Sequence, residues 1–375
     1  MSKKSIAAAL LAAAFTCACA DEKPAPETEL IKYTNLSVDA GFDTVYQLTE
    51  FGTDRDGMEA CFRDTEDMFR QFNDLFDIYN DYDGVNNLKT INDNAGKQPV
   101  KVDQQIIDML KEAKEFAEIS DGAFDITIGS VLRVWHEYRD AGIVLNSEGK
   151  NAPLPTDEEL EKAAQHCGWQ YVEIDEENST VFITDPDVSL DVGGIAKGFA
   201  AERIGEYMDE TDVAYATVNA GRNIRTVRPK ADGTPWIIGI ANPADGSGIY
   251  CTVEMDGTGS FVTSGDYERF FKGEDGKIYH HIIDPATLKP ADYYHSVSIV
   301  TPDSSAADCL STTLFTLSIE DGKKVLEAYR KKTGDPAEAI WIMDPDKTQD
   351  QEGKLSGGYW CVYSEGIEGR ITFAQ

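Results

Sequence analysis

Three short segments of this 375-residue chain carry residue types that can do chemistry. In Asp191-Val-Gly-Gly-Ile-Ala-Lys-Gly198, two glycines and a lysine stand where an apolar strand (Val188, Leu190) gives way to a helix read over 197–208. Backbone N–H groups at a helix start, with an ammonium beside them, make a ready anion site. Ala307-Asp-Cys-Leu-Ser-Thr312 offers a carboxylate and a hydroxyl four residues apart, hence on one helix face. His280-His-Ile-Ile-Asp-Pro285 adds two histidines and an acid. An anion cradle, a pair of hard-cation donors and a histidine together point to metal-assisted chemistry on a phosphate.

Each segment also has a plainer reading. Gly193-Gly194 lacks the G-x-G-x-x-G spacing of a dinucleotide fold, and Lys197 is not followed by the Ser or Thr of a P-loop. A Gly-Gly pair after a strand is commonly just a tight turn. Asp308 suits the first turn of a helix, and Thr312 a half-buried core position. Ile278-Tyr-His-His-Ile-Ile283 alternates as a strand does, so one of His280 and His281 faces inward, where a histidine bonded within the core is the ordinary outcome.

The order and wording of the motifs along the chain decide between these readings. Leu75-Phe-Asp-Ile-Tyr79, Ile91-Asn92, Ser120-Asp-Gly-Ala-Phe-Asp-Ile-Thr127 and Leu190-Asp-Val-Gly-Gly-Ile-Ala-Lys-Gly-Phe199 are followed by Val218-Asn-Ala-Gly221 and Thr263-Ser-Gly-Asp-Tyr-Glu-Arg269. His281-Ile-Ile-Asp-Pro285 and Ala307-Asp308 with Thr312 complete the series. From about Asp43 onward the chain resembles the FAD:protein FMN transferase (ApbE-like) family. The resemblance implies an α+β, T-fold-like architecture of mixed helices and antiparallel sheet, two lobes around a flavin site. It implies Mg2+-dependent transfer of the FMN moiety of FAD to a Ser or Thr hydroxyl of an acceptor flavoprotein, with release of AMP. It places Mg2+ on the Ala196 carbonyl, the Asp308 carboxylate and the Thr312 hydroxyl. His281 becomes the candidate base, with Asp284 orienting it or binding substrate. Lys197 is set against phosphate oxygens, and Asp121, Ser264, Tyr267, Arg269 and Tyr79 line the flavin and adenine pockets. The implied acceptor motif is D-x-x-[S/T]-G-A-[S/T].

The chain departs from the family pattern at three places. Arg222 stands where Gly-Gly-Asp/Asn is usual, adding a phosphate contact or turning outward. Asn86-Asn87 replaces a common Ser-Glu, a change that would tilt the protein toward holding FAD or hydrolysing it to FMN and AMP without protein transfer. Leu288 replaces a glycine and concerns the loop alone.

Composition bounds the rest. A net charge of −33 disfavours nucleic acid and anionic membrane surfaces as electrostatic partners, and requires a locally positive site for an anion such as FAD. Residues 1–19 read as a lipoprotein signal peptide: Lys3-Lys4, then an apolar run from Ile6 to Phe15, too short to span a bilayer. Cys19, preceded by Ala18, is the expected lipidation site, with Cys17 the alternative and cleavage after Ala20 the plain secretory reading. Residues 20–35 read as a Pro-rich tether and 36–375 as the catalytic domain, held on the periplasmic face of a bacterial inner membrane. Cys61, Cys167, Cys251, Cys309 and Cys361 form no C-x-x-C pair and read as small apolar residues. Asp81-Tyr-Asp-Gly84 is no calcium loop, because Tyr79 and Thr90 fall on its first and last ligand positions.

The elements that must position these residues follow from periodicity. Met58, Cys61, Phe62, Phe69, Phe72, Leu75 and Phe76 recur at helical spacing, and a second amphipathic helix runs from near Asp103 to Ile119. Strand patterns begin at Tyr171, Val181, Trp236, Val297, Ala339 and Arg370, with helices at 197–208, 305–318 and 321–333 among them. Helices first, then strands with interspersed helices, indicate α+β.

Overall fold

The computed structural model describes residues 29–374 except 245 and 268. The expected signal peptide, Cys19 and most of the expected tether lie outside the described residues. Among them, eight helices occur in the order α1 (Arg55–Phe76), α2 (Leu88–Asp93), α3 (Gln104–Ile119), α4 (Gly129–Ser147), α5 (Asp157–Ala164), α6 (Ala196–Asp209), α7 (Ser304–Thr316) and α8 (Ile319–Thr333). The largest sheet is antiparallel and nine-stranded, ordered Ile31–Ser37, Tyr46–Gly52, Tyr215–Ala220, Asn223–Val227, Gly259–Gly265, Ser296–Thr301, Glu338–Met343, Tyr359–Tyr363 and Lys354–Ser356.

Both faces of this sheet are covered. Helices α1, α6 and α7 lie on one face, and Val262, Ala339, Trp341 and Met343 point into the core they share. Phe261, Ile340 and Ile342 point the other way, into a second core with Trp236, Ile238 and Val253 of a three-stranded sheet. A strand buried on both faces needs no polar alternation, which explains the unbroken apolar run Ala339-Ile-Trp-Ile-Met343. A third cluster gathers Val131 and Trp135 of α4 with Leu160 of α5, Phe271 and Ile283. The architecture is α+β, as the sequence patterns indicate.

Four local expectations are corrected. The chain already enters the sheet at Ile31, inside the stretch read as tether, because Ile31–Ser37 pairs antiparallel with Tyr46–Gly52. Two strands therefore precede the first helix, and α4, with its weak periodicity, was not read at all. The run 278–283 is broken rather than one strand: Ile278–Tyr279 and Ile283–Asp284 belong to different hairpins, and between them the His280 ring turns inward to bond Ile282 N and Ala291 O. Val188 and Leu190 flank a single bridge, Ser189 to Ile128, and form no strand.

Glycine and one buried ion pair set how closely α6 and α7 approach. Glu202 of α6 bonds Arg225 on the sheet at 3.0 Å and accepts the Ser304 N–H of α7 at 2.7 Å. A β-carbon on Gly198 would lie 2.3 Å from the Ser304 carbonyl oxygen and 2.6 Å from Asp308 Cβ, which no side chain tolerates without moving a helix. Gly198→Ala is expected to cost about 1–3 kcal/mol, read from the urea unfolding midpoint. An unchanged midpoint would contradict this packing.

Candidate active site

The site is built where the 189–195 loop runs into α6. Asn92 holds the loop by acting as a surrogate strand, its amide accepting from Leu190 N at 2.8 Å and donating to Leu190 O at 3.0 Å. Asp191 N donates to Ile126 O at 2.8 Å, which lays the 120–127 segment alongside. The loop closes on itself when Gly193 N donates to Asp191 Oδ1 at 3.0 Å. A β-carbon on Gly194 would meet Phe124 at 3.1 Å and Thr312 Oγ1 at 3.2 Å, so any side chain there would push the loop and α7 apart by a few tenths of an ångström.

Helix α6 starts after Ile195, which has no side chain to cap it. Asp308 of α7 supplies the cap across the helix interface: its Oδ2 accepts from Gly198 N at 2.9 Å. Lys197 Nζ lies 3.2 Å from Gly193 O and 3.7 Å from Asp308 Oδ2. Burial pushes the Asp308 carboxyl above its ordinary range, against the opposing pull of Lys197 and the Gly198 N–H. Every residue of α7 is buried except Thr312, one turn beyond Asp308. Ser311, Thr313 and Thr316 bond back to carbonyls of their own helix, whereas the Thr312 hydroxyl has no partner among the described residues. A buried carboxylate beside an unengaged hydroxyl, in a cradle that a β-carbon on Gly194 would fill, is a donor set that suits a hard cation such as Mg2+. The histidine–carboxylate group of His166, Asp185 and Asp187 is a different place, between the end of α5 and the 184–187 turn.

Opposite the loop stands a wall that the sequence revealed only at Tyr79. Tyr79, exposed but hydroxyl-bonded, meets His136 Nδ1 at 3.1 Å. Loss of water around the hydroxyl end of this otherwise exposed ring raises the Tyr79 phenol to about 12, with the Asp191 carboxylate adding to the rise. Burial lowers the His136 pKa; Arg139 and Arg269 lower it further, while Asp191 and Asp140 oppose. These mutual influences bring Tyr79, His136, Arg139, Asp191 and Arg269 within electrostatic reach of one another. His136, Arg139 and Asp140 share one face of α4 at i, i+3, i+4 spacing, a pattern the sequence carried without any motif to mark it.

The remaining expected residues fall at varied places. Ser264 Oγ bonds Ser311 Oγ of α7 at 2.8 Å, joining its strand to the Asp308 helix. Arg269 reaches toward Asp43, at 4.0 Å, and the Arg222 guanidinium stacks 5.0 Å over the Tyr267 ring. Asp43 and Arg222 also line an open pocket of about 490 Å3 with Thr44, Gln47 and Asn219. Asp121 lies exposed at the end of α3, with φ +52°. Asp284 Oδ1 accepts from Ala286 N at 2.8 Å in its own turn. His280 is the inward histidine: Nε2 donates to Ala291 O at 2.7 Å, Nδ1 accepts from Ile282 N at 3.1 Å, and burial lowers its pKa. Both its nitrogens are engaged, and the partly exposed His281 is its neighbour.

Fold and site define an α+β protein with a lysine-flanked helix start and a candidate hard-cation donor set side by side. The chain belongs to the ApbE family, whose sequence model matches residues 42–334. The FAD:protein FMN transferase of Treponema pallidum is 34% identical over 274 residues, 69% of this chain and 71% of its own length. That of Klebsiella pneumoniae is 33% identical over 239 residues, 63% of this chain and 70% of its own. The crystal structure of the ApbE protein from Thermotoga maritima is similar at a TM-score of 0.69 and 30% identity, covering 86% of this chain and all of that one.

Asp308→Asn keeps the acceptor for Gly198 N–H and removes the charge. It is expected to unfold near the wild-type midpoint and to lose the calorimetric signal of Mg2+ titrated into the protein with FAD. A full Mg2+ response in the variant would exclude Asp308 as a candidate metal ligand.

Proposed function

We propose that this protein transfers the FMN moiety of FAD to an acceptor protein. The observation that carries the reading is the pairing of Asp308 and Thr312 with Lys197 at the start of α6, in a chain of the ApbE family. The α6 N-terminus and Lys197 receive the pyrophosphate of FAD. Ala196, Asp308 and Thr312 would hold Mg2+, which when bound neutralises pyrophosphate charge and eases the departure of AMP. Tyr79, Tyr267, Arg269, Ser264 and Asp121 shape the pockets for the flavin and adenine ends.

A Ser or Thr hydroxyl of the acceptor attacks the phosphorus on the riboflavin side. The new P–O bond forms as the bond to the bridging oxygen breaks, AMP leaves with the electron pair, and His281 takes the hydroxyl proton. The acceptor would present D-x-x-[S/T]-G-A-[S/T]. Holding or hydrolysing FAD without transfer gains no support from Asn86 and Asn87, which serve the local fold: Asn87 caps α2, and Asn86 bonds Lys101 O at 2.8 Å.

The test is incubation with FAD, Mg2+ and an acceptor carrying that motif, followed by flavin fluorescence on the acceptor band in a denaturing gel. Free FMN without a labelled band would favour hydrolysis. A general base is worth about 10²–10⁴-fold in rate. His281→Asn is therefore expected to bind FAD nearly as well as wild type yet label acceptor at least about a hundredfold more slowly. Wild-type labelling by that variant would remove His281 as the base.

The same reading places the protein on the periplasmic face of the inner membrane through a lipid on Cys19. Among the described residues no helix is long and apolar enough to cross a membrane, and a net charge of −33 gives no electrostatic attraction to anionic lipid. Cys19→Ser is expected to move the protein from the membrane to the soluble fraction. Retention in the membrane would reject the anchor.

A further inference from the structure

His295 stands just before the strand Ser296–Thr301 and is fastened on every side. Its backbone N–H donates to Ile342 O at 2.8 Å, and its carbonyl accepts from Asp266 N at 3.0 Å. Its ring lies between two carboxylates, Nδ1 2.8 Å from Asp266 Oδ2 and Nε2 3.0 Å from Asp344 Oδ1. The edge of Tyr359 closes the third side, with ring centroids 5.2 Å apart. Ionised carboxylates only accept hydrogen bonds, and a neutral imidazole carries one N–H. A neutral ring would turn a lone pair on one of the two acids; the imidazolium satisfies both.

Asp266 begins the second half of Thr263-Ser-Gly-Asp-Tyr-Glu-Arg269. Ser264, two residues earlier, is pinned to α7 through Ser311. Tyr267 and Arg269, just after, are the residues that face Arg222, Asp43 and the cleft. The backbone bond from Asp266 N fixes where this loop starts, and the side-chain bond fixes the direction in which it leaves the sheet. We propose that His295 is a positioning residue for the nucleotide site, its imidazolium clamping Asp266 against Asp344 so that Tyr267 and Arg269 are presented to FAD. The clamp rests on the reading of this cleft as the FAD site.

The groups facing the ring are Asp266 from the loop after Gly259–Gly265, Asp344 from the end of Glu338–Met343 and Tyr359 from the strand beyond; His280, kept neutral, lies within electrostatic reach of Asp266. The bond to Asp266 is the largest influence and, with Asp344, outweighs burial, so the imidazole is pushed up to about 9. A raised folded-state pKa gives stabilisation that is complete below the ordinary histidine value and is lost as pH climbs through about 9. The loop is therefore held at neutral pH and released in alkali.

Two readouts test the clamp, across roughly pH 7 to 10, in wild type, Asp344→Asn and His295→Gln. The first is FAD affinity by flavin fluorescence. The second, which needs no FAD, is the rate of tryptic cleavage after Arg269. Wild type should lose FAD affinity about tenfold, and be cleaved faster after Arg269, as pH passes about 9. Asp344→Asn, folded and with FAD affinity near wild type at pH 7, should show both changes roughly one pH unit lower, because one of the two carboxylates that hold the proton is gone. His295→Gln should bind FAD about tenfold more weakly at every pH, with Arg269 already open to trypsin. Variants that are folded and share the wild-type pH dependence of cleavage would overturn the clamp. If cleavage behaves as expected while the wild type does not bind FAD, the clamp stands and the functional reading fails.

Discussion

The candidate site depends on one contact, the approach of α7 to the start of α6 at Gly198. Because Gly198 has no side chain, the Asp308 carboxylate reaches its N–H at 2.9 Å and caps a helix that begins after an isoleucine. The same approach buries that carboxylate. A buried charge is expensive unless paired, and here the α6 terminus and Lys197 share the pairing. Glu202, one turn along α6, bonds both Arg225 and Ser304 and holds the two helices at this spacing. Asp308 thus fixes the geometry and carries the charge that a cation would meet. Thr312 is the one position of α7 left uncovered, and it opens beside Gly194.

Charge distribution resolves how an acidic protein receives an anion. The chain carries −33 overall, yet the site sets Lys197 beside the start of α6 and Arg139 and Arg269 within electrostatic reach of Tyr79. Exposed acids elsewhere are screened over about 8–10 Å at ordinary ionic strength, whereas groups within the cleft act at short range in a poorer dielectric. Asp191 ties down the loop and also raises the Tyr79 phenol, so loop geometry and the electrostatics of the facing wall are coupled through one acid.

The departures from the family pattern acquire physical explanations. Gly221 and Arg222, at φ +59° and +72°, form the two-residue turn between Tyr215–Ala220 and Asn223–Val227, where left-handed backbone is required. Glycine meets that demand freely. Arg222 meets it under strain, aided by Asn219 Oδ1 accepting its N–H at 3.0 Å and by the stack on Tyr267. Leu288, at φ +61°, repeats the pattern: its carbonyl accepts from Trp135 Nε1 at 2.8 Å and its side chain joins the cluster under α4. Asn87 is fully buried as the cap of α2, so its side chain serves the local fold.

Much of this protein was legible in its sequence, because the signals concerned are local. The amphipathic periods of α1 and α3, the boundaries of α6, α7 and α8 to within about two residues, and the one-face placement of Asp308 and Thr312 all follow from spacing along a single element. The order of motifs was enough to name the family. Other features depend on residues far apart in sequence, and only the tertiary structure decided them. Asn92 stands in for a strand beside Leu190, 98 residues away, and so the apolar stretch before the glycines never becomes a strand itself. Which of two adjacent histidines turns inward was settled by Ala291, whose carbonyl accepts a hydrogen bond from His280 Nε2. His136 and His295 belong to no recognisable motif, since what distinguishes them is the phenol and carboxylates that distant segments bring to their rings. Periodicity can assign a side chain to a face, but its partners come from other elements, and those partners determine its charge and its chemistry.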